Sequence, residues 1–457
     1  MEKVRQTLHD SALARWGVLI LVGFVLSANY YFYDAFSTLK DHLANQFSFS
    51  NTQYGLFVSF YAIPNTFLLM AVIGGMILDR LGIRRTGFMF VFFMAFGAIL
   101  TAYGASGFYS GGGPGYGVMQ SFLPNYSPEL KMMLLGRFFY GLGAETSIVV
   151  MSKILVKWFK GKDLALSFGL KVAFGRLGTF AALQISPALA HEDGSGLSTA
   201  IWFAAMLVLI GLLVFMIYMM LDLKIDREGA TTEGKSKSEK FNNRDILSIL
   251  TNPAYILIAL LCVTFYSAVF PFLAFAPDFF LNKFSMTTLM SGRITSLLPL
   301  GTLFFTPLFG IYVDRMGRSA TMMIFGALIL LLVHLLFALT SIQPYVLMIM
   351  LGIAFSLVPA AMWPSMVKLV KEKQIGTAYG LMYSIQNLGL WGVPLIAGII
   401  LDRTNPGDPE VLNYTPTMLM FAGLGLAGLL FAVTLKIMDG RKNYGIDLPL
   451  NKISSNT

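Results

Sequence analysis

Apolar residues fall in long unbroken blocks, with neither the 3.6-residue nor the two-residue period of an element half exposed to water. The blocks cover about 15–39, 52–79, 85–105, 130–156, 163–190 and 198–222, then 252–280, 287–313, 319–340, 344–370, 375–402 and 414–438. Each reaches the roughly 20 residues that an α-helix needs to cross ~30 Å of hydrocarbon. The pattern predicts an all-α polytopic membrane protein with twelve transmembrane helices, here called spans 1 to 12. Several blocks exceed 25 residues, which predicts tilted or protruding helices. Pro64, Pro187, Pro271, Pro299, Pro359, Pro364 and Pro394 lie inside blocks, where each can kink a helix.

Between spans 6 and 7 the chain turns polar, with TTEGKSKSEK at its centre. That is linker composition, with room for a surface helix at most. The expected organisation is a six-helix bundle over 1–222, a linker over 223–250, a second bundle over 251–440 and a tail over 441–457.

Charge gives the orientation. With the N-terminus in the cytoplasm, the tails and the even-numbered loops hold 25 of the 33 Lys and Arg residues. The opposite loops hold only Lys40, Lys131, Lys283 and Arg403. This is a strong positive-inside signal, and it predicts two cytoplasmic termini. The net charge of +9 is therefore a matter of topology rather than of nucleic-acid binding. Composition agrees: 56% of residues are hydrophobic and 12% charged, about half the charged share of a soluble domain. Mean hydropathy is +0.68. Cys262 is the only cysteine, so a disulfide framework within the chain is excluded. The Gly/Pro/aromatic-rich loop 106–129 reads as a connector on the side opposite the basic loops. No metal-ligand cluster, phosphate-binding glycine loop or nucleophile–base set stands in the sequence. No cofactor is expected, and the protein is not expected to be an enzyme.

The halves repeat each other. GMILDRLGIRR (75–85) follows span 2 and GIYVDRMGR (310–318) follows span 8. The predicted reading is a latch. Gly75 and Gly310 would let a neighbouring helix close in. Asp79 and Asp314 would accept from a facing helix N-terminus or pair with loop arginines such as Arg80, Arg84 and Arg315. LSFGLKVAFGRLG (166–178) likewise matches TAYGLMYSIQNLG (377–389), which places Arg176 on Asn387; Glu145, one span earlier, falls on Ala361.

That second match singles out one hairpin. Glu145 and Arg176 each lie about a dozen residues from the basic turn KWFKGK (157–162), so both sit roughly 20 Å deep on adjacent helices. An acid and a base within a membrane are costly and read first as a functional site, with a permanent structural ion pair as the alternative. Their absence from the second half favours a one-sided role in gripping a ligand. Lys171, five residues before Arg176 and so about 140° around the helix, is a further candidate, as is Arg137 in span 4. Asp34, near the outer end of span 1, is a candidate gate.

The doubled loop motif and the six-plus-six plan resemble the major facilitator superfamily over essentially the whole chain. TQYGLFVSFYAIPN (52–65), GRFFYGLGAE (136–145), YSAVFPF (266–272), MWP (362–364) and IGTAYGLMYSIQNLG (375–389) resemble more closely a branch of dipeptide uniporters, lysosomal in animals. The resemblance implies the major facilitator fold, a central cavity between two pseudo-symmetric bundles, and rocker-switch alternating access. It places Glu145 and Arg176 at the acidic and basic substrate positions, and it suggests gating or coupling for Arg137. Lys171 and Asp278 depart from the pattern, where a neutral amide and a basic residue are expected, and this bears on substrate charge preference.

A dipeptide suits the pair: Glu145 for its ammonium and Arg176, bidentate, for its carboxylate. Tyr61, Tyr266, Trp363 and Tyr383, in the matching stretches, are candidates to shape side-chain pockets. Gln386 and Asn387 are candidates to bond a peptide amide. The alternatives are a proton-coupled transporter or exporter of another amphiphilic metabolite, and a membrane sensor that binds without transport. The expected partners are a dipeptide and the lipid bilayer, with no nucleic acid; an accessory subunit is left open. No acidic dileucine sorting signal stands near the N-terminus, so a cell (cytoplasmic or inner) membrane is expected.

Overall fold

The computed structural model describes residues 11–159, 161, 163–227, 243–371, 374–407 and 409–449. Lys160 and Lys162 of the predicted basic turn, the middle of the predicted linker and the end of the predicted tail lie outside these residues. The described residues form helices, turns and connections. In order the helices are α1 (Ala12–Ala35), a 3-10 turn (Phe36–Leu39), α2 (Lys40–Phe47), α3 (Asn51–Phe60), α4 (Ile63–Phe67), α5 (Met70–Gly104), α6 (Gly107–Ser110), α7 (Tyr116–Gln120) and α8 (Pro128–Phe159). They continue with α9 (Leu164–Ala190), α10 (Leu197–Arg227), α11 (Asn243–Leu250), α12 (Pro253–Phe284), α13 (Thr288–Thr295) and α14 (Leu297–Met316). The last four are α15 (Ser319–Leu339), α16 (Pro344–Val367), α17 (Ile375–Thr404) and α18 (Thr415–Lys442).

Eleven helical segments among the described residues are long and apolar enough to cross a membrane. The difference from twelve lies in span 2. It is divided into α3, α4 and the start of α5, with Pro64 at the head of α4 and Leu69 at a positive φ of 51°. The rest of α5 is span 3, beyond a non-helical Gly82 (φ 76°, ψ 173°). Span 8 breaks at Ser296 into α13 and α14, three residues before Pro299. α11 is a short helix within the predicted linker.

Helix starts follow the local sequence. Ser50 and Gln53 form a reciprocal capping box at the head of α3. Asn252, followed by Pro253, caps α12, and Thr287 caps α13.

The motif glycines act differently from the expected close approach. Gly75 and Gly310 have no heavy atom within 4 Å of where a Cβ would stand. The later glycine of each copy matters instead: Gly82 and Gly317 (φ 69°) occupy the left-handed region that turns the chain out of the preceding helix.

Contacts gather the chain into two compact units. Unit 1 holds residues 1–34, 70–182 and 198–240; unit 2 holds 35–69, 183–197 and 241–457. In unit 1, small residues bring backbones together, as expected where lipid supplies no hydrophobic drive between helices. Gly97, Gly136 and Gly143 seat α5 on α8. Gly178 lies against the Ser27 backbone and Gly175 against the Tyr30 ring, which seats α9 on α1. At the ends bearing basic loops, the buried Asp222 carboxylate of α10 accepts from Arg84 (3.1 Å), Lys157 (2.9 Å) and Tyr218 (3.0 Å). Asp222→Asn is expected to weaken both charge-assisted bonds and cost about 2 kcal/mol, read as a lower melting temperature.

In unit 2, residues 443–448 of the predicted tail fold back on the preceding helices. Asp447 accepts from the Arg318 and Ala320 N–H groups at 2.9 and 2.8 Å. The Lys368 ammonium donates to the Ile446 and Leu448 carbonyls at 2.9 and 2.6 Å. Burial holds that ammonium below the usual lysine range, against the opposing pull of Asp439 and Asp447.

Candidate functional site

Unit 1 collects the charges that the sequence singled out. Glu145 stands on α8, Lys171 and Arg176 on α9, Arg137 on α8 and Asp34 at the end of α1. Tyr30, resting on the Gly175 backbone, lies within electrostatic reach of Arg176, Glu145 and Asp34. Tyr33 lies within reach of Asp34, Arg137 and Glu145. Asp34 accepts from the Thr179 hydroxyl at 2.6 Å and feels both Arg176 and Arg137. Arg137, 1% exposed, packs over the Tyr33 and Tyr140 rings at 5.4 and 5.7 Å. Tyr140 in turn donates to the Asn29 carbonyl at 2.6 Å. Lys171 donates to the Ser152 hydroxyl at 2.5 Å and to the Ile148 carbonyl at 3.5 Å, and it feels Glu145. Five charged side chains thus share one network lined with tyrosine hydroxyls. Such a set can hold a small molecule that bears both signs of charge.

Unit 2 holds the aromatic and amide candidates. The Trp363 indole N–H donates to the Tyr266 hydroxyl at 3.0 Å. Trp363 also stacks on Tyr379 at 5.6 Å and tilts against Tyr383 at 4.8 Å. Phe270 and Phe355 back Tyr266. Asn387, one turn beyond Tyr383, donates to its carbonyl at 3.0 Å, while its own Oδ1 is buried without a hydrogen-bond partner. Gln386 is buried and accepts from the Cys262 thiol at 3.8 Å. Tyr61 is buried at the end of α3, away from the indole cluster in sequence but in the same unit.

The loop-motif residues are separate. Asp79 pairs with Lys153 of α8 at 2.7 Å, with both side chains substantially exposed. Arg84 turns to Asp222, whereas Arg80, Asp314 and Arg315 are exposed. Arg293 is exposed, and His334 is buried against Phe272 and Phe421.

A second constellation stands at the opposite ends of the helices, within unit 2. The Lys40 ammonium meets the Asp278 carboxylate at 2.6 Å, with side chains 4% and 3% exposed. The Tyr414 hydroxyl also donates to Asp278. The rings of Tyr54, Phe275 and Tyr414 surround Lys40 at 5.8–5.9 Å. Two further carboxylates of unit 2 cap helices. Asp402, ending α17, accepts from the Asn51 and Thr52 N–H groups that open α3. Glu192, just after α9, accepts from the Thr288 and Leu289 N–H groups that open α13. Each caps a helix N-terminus with negative charge, the favourable sign there. Since spans 5 and 11, and spans 2 and 8, are repeat equivalents, the two caps are mirror images in sequence. Both carboxylates lie outside the stretches in which the repeat is legible, 166–178 and 377–389. Lys40 did carry a signal, as one of four basic residues outside the basic loops and the spans.

Fold and charge network define a polytopic membrane transporter. The chain belongs to the Major Facilitator Superfamily, whose profile matches residues 19–392 and 272–446. Its relatives include the lysosomal dipeptide transporter MFSD1 of Danio rerio, 30% identical over 442 residues that cover 94% of this chain and 88% of that protein. The human protein of the same name is 30% identical over 394 residues, covering 84% of this chain and 79% of its own length. Among solved structures, the nucleoside transporter NupG superposes with a TM-score of 0.66 at 14% identity, over 92% of this chain and 98% of that one. The peptide transporter POT superposes with a TM-score of 0.65, also at 14% identity, over 94% of both chains. These structural likenesses bear on the fold alone.

Proposed function

We propose that the protein carries dipeptides across a membrane by rocker-switch alternating access, as a uniporter. The observation that carries the reading is the single network of Glu145, Arg176, Asp34, Arg137 and Lys171 around Tyr30 and Tyr33. Its chemistry suits a zwitterion, and the curated relatives bear the name of dipeptide transporters. Glu145 takes the peptide ammonium and Arg176 its carboxylate. Tyr61, Tyr266, Trp363 and Tyr383 contact side chains, and Gln386 and Asn387 bond the peptide amide. Asp79, Arg80, Arg84, Asp314 and Arg315 serve the gate at the basic ends of the helices; Asp34 and Arg137 couple the site to gating. In this reading both termini face the cytoplasm and the chain resides in a cell membrane.

A thermal-shift screen of the purified protein tests the substrate class. Dipeptides are expected to raise the melting temperature by several degrees, with free amino acids ineffective. A set of dipeptides that leaves it unchanged, together with absent counterflow in liposomes, overturns the reading. A proton-coupled mechanism is the second reading, favoured by the burial of Asp34 beside two arginines. A pH dye inside the liposomes separates the two, because uniport of a zwitterion leaves the lumenal pH unchanged.

A further inference from the structure

Lys171 lies within a membrane-spanning helix, and among the described residues its amine has neutral hydrogen-bond and ring partners: the Ser152 hydroxyl, the Ile148 carbonyl and, at 5.7 Å, the Phe168 ring. No described carboxylate forms an ion pair with it. Ile148 and Ser152 stand three and seven residues beyond Glu145, on the same face of α8. The amine is therefore about 5–10 Å along the helix from Glu145, towards the basic end. Within the network as described, the three cations Arg137, Lys171 and Arg176 outnumber the two carboxylates Glu145 and Asp34, so its formal charges do not balance. A dipeptide with uncharged side chains adds one charge of each sign and leaves the excess cation in place. A dipeptide with one acidic side chain brings a net negative charge and removes it. An uncompensated cation at this depth is costly, so the balanced complex is favoured.

We propose that Lys171 is a specificity-determining residue that receives an anionic substrate side chain, so that the transporter prefers dipeptides containing aspartate or glutamate. This rests on the dipeptide reading above. The α-ammonium goes to Glu145, the α-carboxylate to Arg176 and the side-chain carboxylate to Lys171, which exchanges neutral partners for a charged one.

The test is competition against counterflow of labelled Ala-Ala in liposomes, with Ala-Glu and its near-isostere Ala-Gln as competitors. In the wild type, Ala-Glu should inhibit at a concentration about tenfold lower, the effect expected of one desolvated charge pair. In Lys171→Gln the concentrations at which the two competitors inhibit should come together, whatever its own Ala-Ala counterflow rate, whereas Lys171→Arg should keep the preference. Equal inhibition in the wild type, or a preference that survives Lys171→Gln, overturns the proposal. Should Lys171→Gln fail to fold, the wild-type comparison alone still decides. Absence of Ala-Ala counterflow in the wild type overturns the dipeptide reading itself and takes this inference with it.

Discussion

Arg176→Ala is expected to abolish dipeptide binding and uptake, lowering apparent affinity by about 100-fold or more, while the protein still folds. The Arg176 guanidinium can meet a planar carboxylate with two parallel bonds, and lysine would not replace its fork geometry, while the other guanidinium, that of Arg137, packs over the Tyr33 and Tyr140 rings. Loss of the guanidinium also changes the network's formal charge, so the melting temperature is expected to change with it. Glu145→Gln combined with Arg176→Gln separates the two effects, because it removes one charge of each sign and leaves the network's formal balance unchanged. The double variant should melt close to the wild type and show no dipeptide-dependent shift. A shift that persists in both variants would remove Glu145 and Arg176 from the substrate site. A double variant that cannot fold would instead make the pair structural.

Lys40→Met is the second large effect. It leaves the Asp278 carboxylate buried with the Tyr414 hydroxyl, the Asn282 amide at 3.4 Å and its aromatic surroundings, an uncompensated charge worth about 3–5 kcal/mol of destabilisation. A fall in melting temperature reads this directly. Adding Asp278→Leu should restore much of the loss, since a buried ion pair replaced by apolar groups of similar volume is often neutral. The pair also joins the first residue of α2 to α12. In the proposed alternating-access cycle, such a contact would hold one end closed and release during transport. Lys40→Met is therefore expected to alter the counterflow rate by more than its stability cost alone explains. Unchanged melting and unchanged rate would show that the pair contributes neither.

The hairpin of α8 and α9 was legible because burying charge in lipid is expensive, so any charge inside an apolar block stands out in the sequence. Glu145, Arg176, Lys171 and Arg137 were all visible for that reason. Tyr30 was less distinct. A tyrosine in a membrane helix reads as packing or interfacial belt, and only the seat provided by Gly175 shows that it faces the charges. The motif aspartates show the reverse. The repeat marked Asp79 and Asp314 clearly, but local spacing does not say which partner a carboxylate selects. Asp79 chose Lys153, and Arg84 chose Asp222, 138 residues away. The break of span 2 was readable only at Pro64. The second break, at Leu69, has no proline or glycine to announce it.

Hydropathy and charge placement by themselves determine the class of this protein, and they set the expected number of spans and the expected orientation, because the bilayer acts on every residue by depth alone. The internal repeat, also a property of sequence, determines that the two halves share a plan and that the charge pair belongs to one of them. Only the tertiary structure decided who partners whom. It brought Asp34, Arg137 and Lys171 into the network of Glu145 and Arg176, paired Lys40 with Asp278 across 238 positions, and gave the Lys171 amine a hydroxyl and a carbonyl as hydrogen-bond partners. The physical reason is that ion pairs and helix caps are short-ranged and directional. A difference of one helix turn moves a side chain about 5 Å, enough to make or lose such a contact, and no periodicity in the chain records which helix stands opposite.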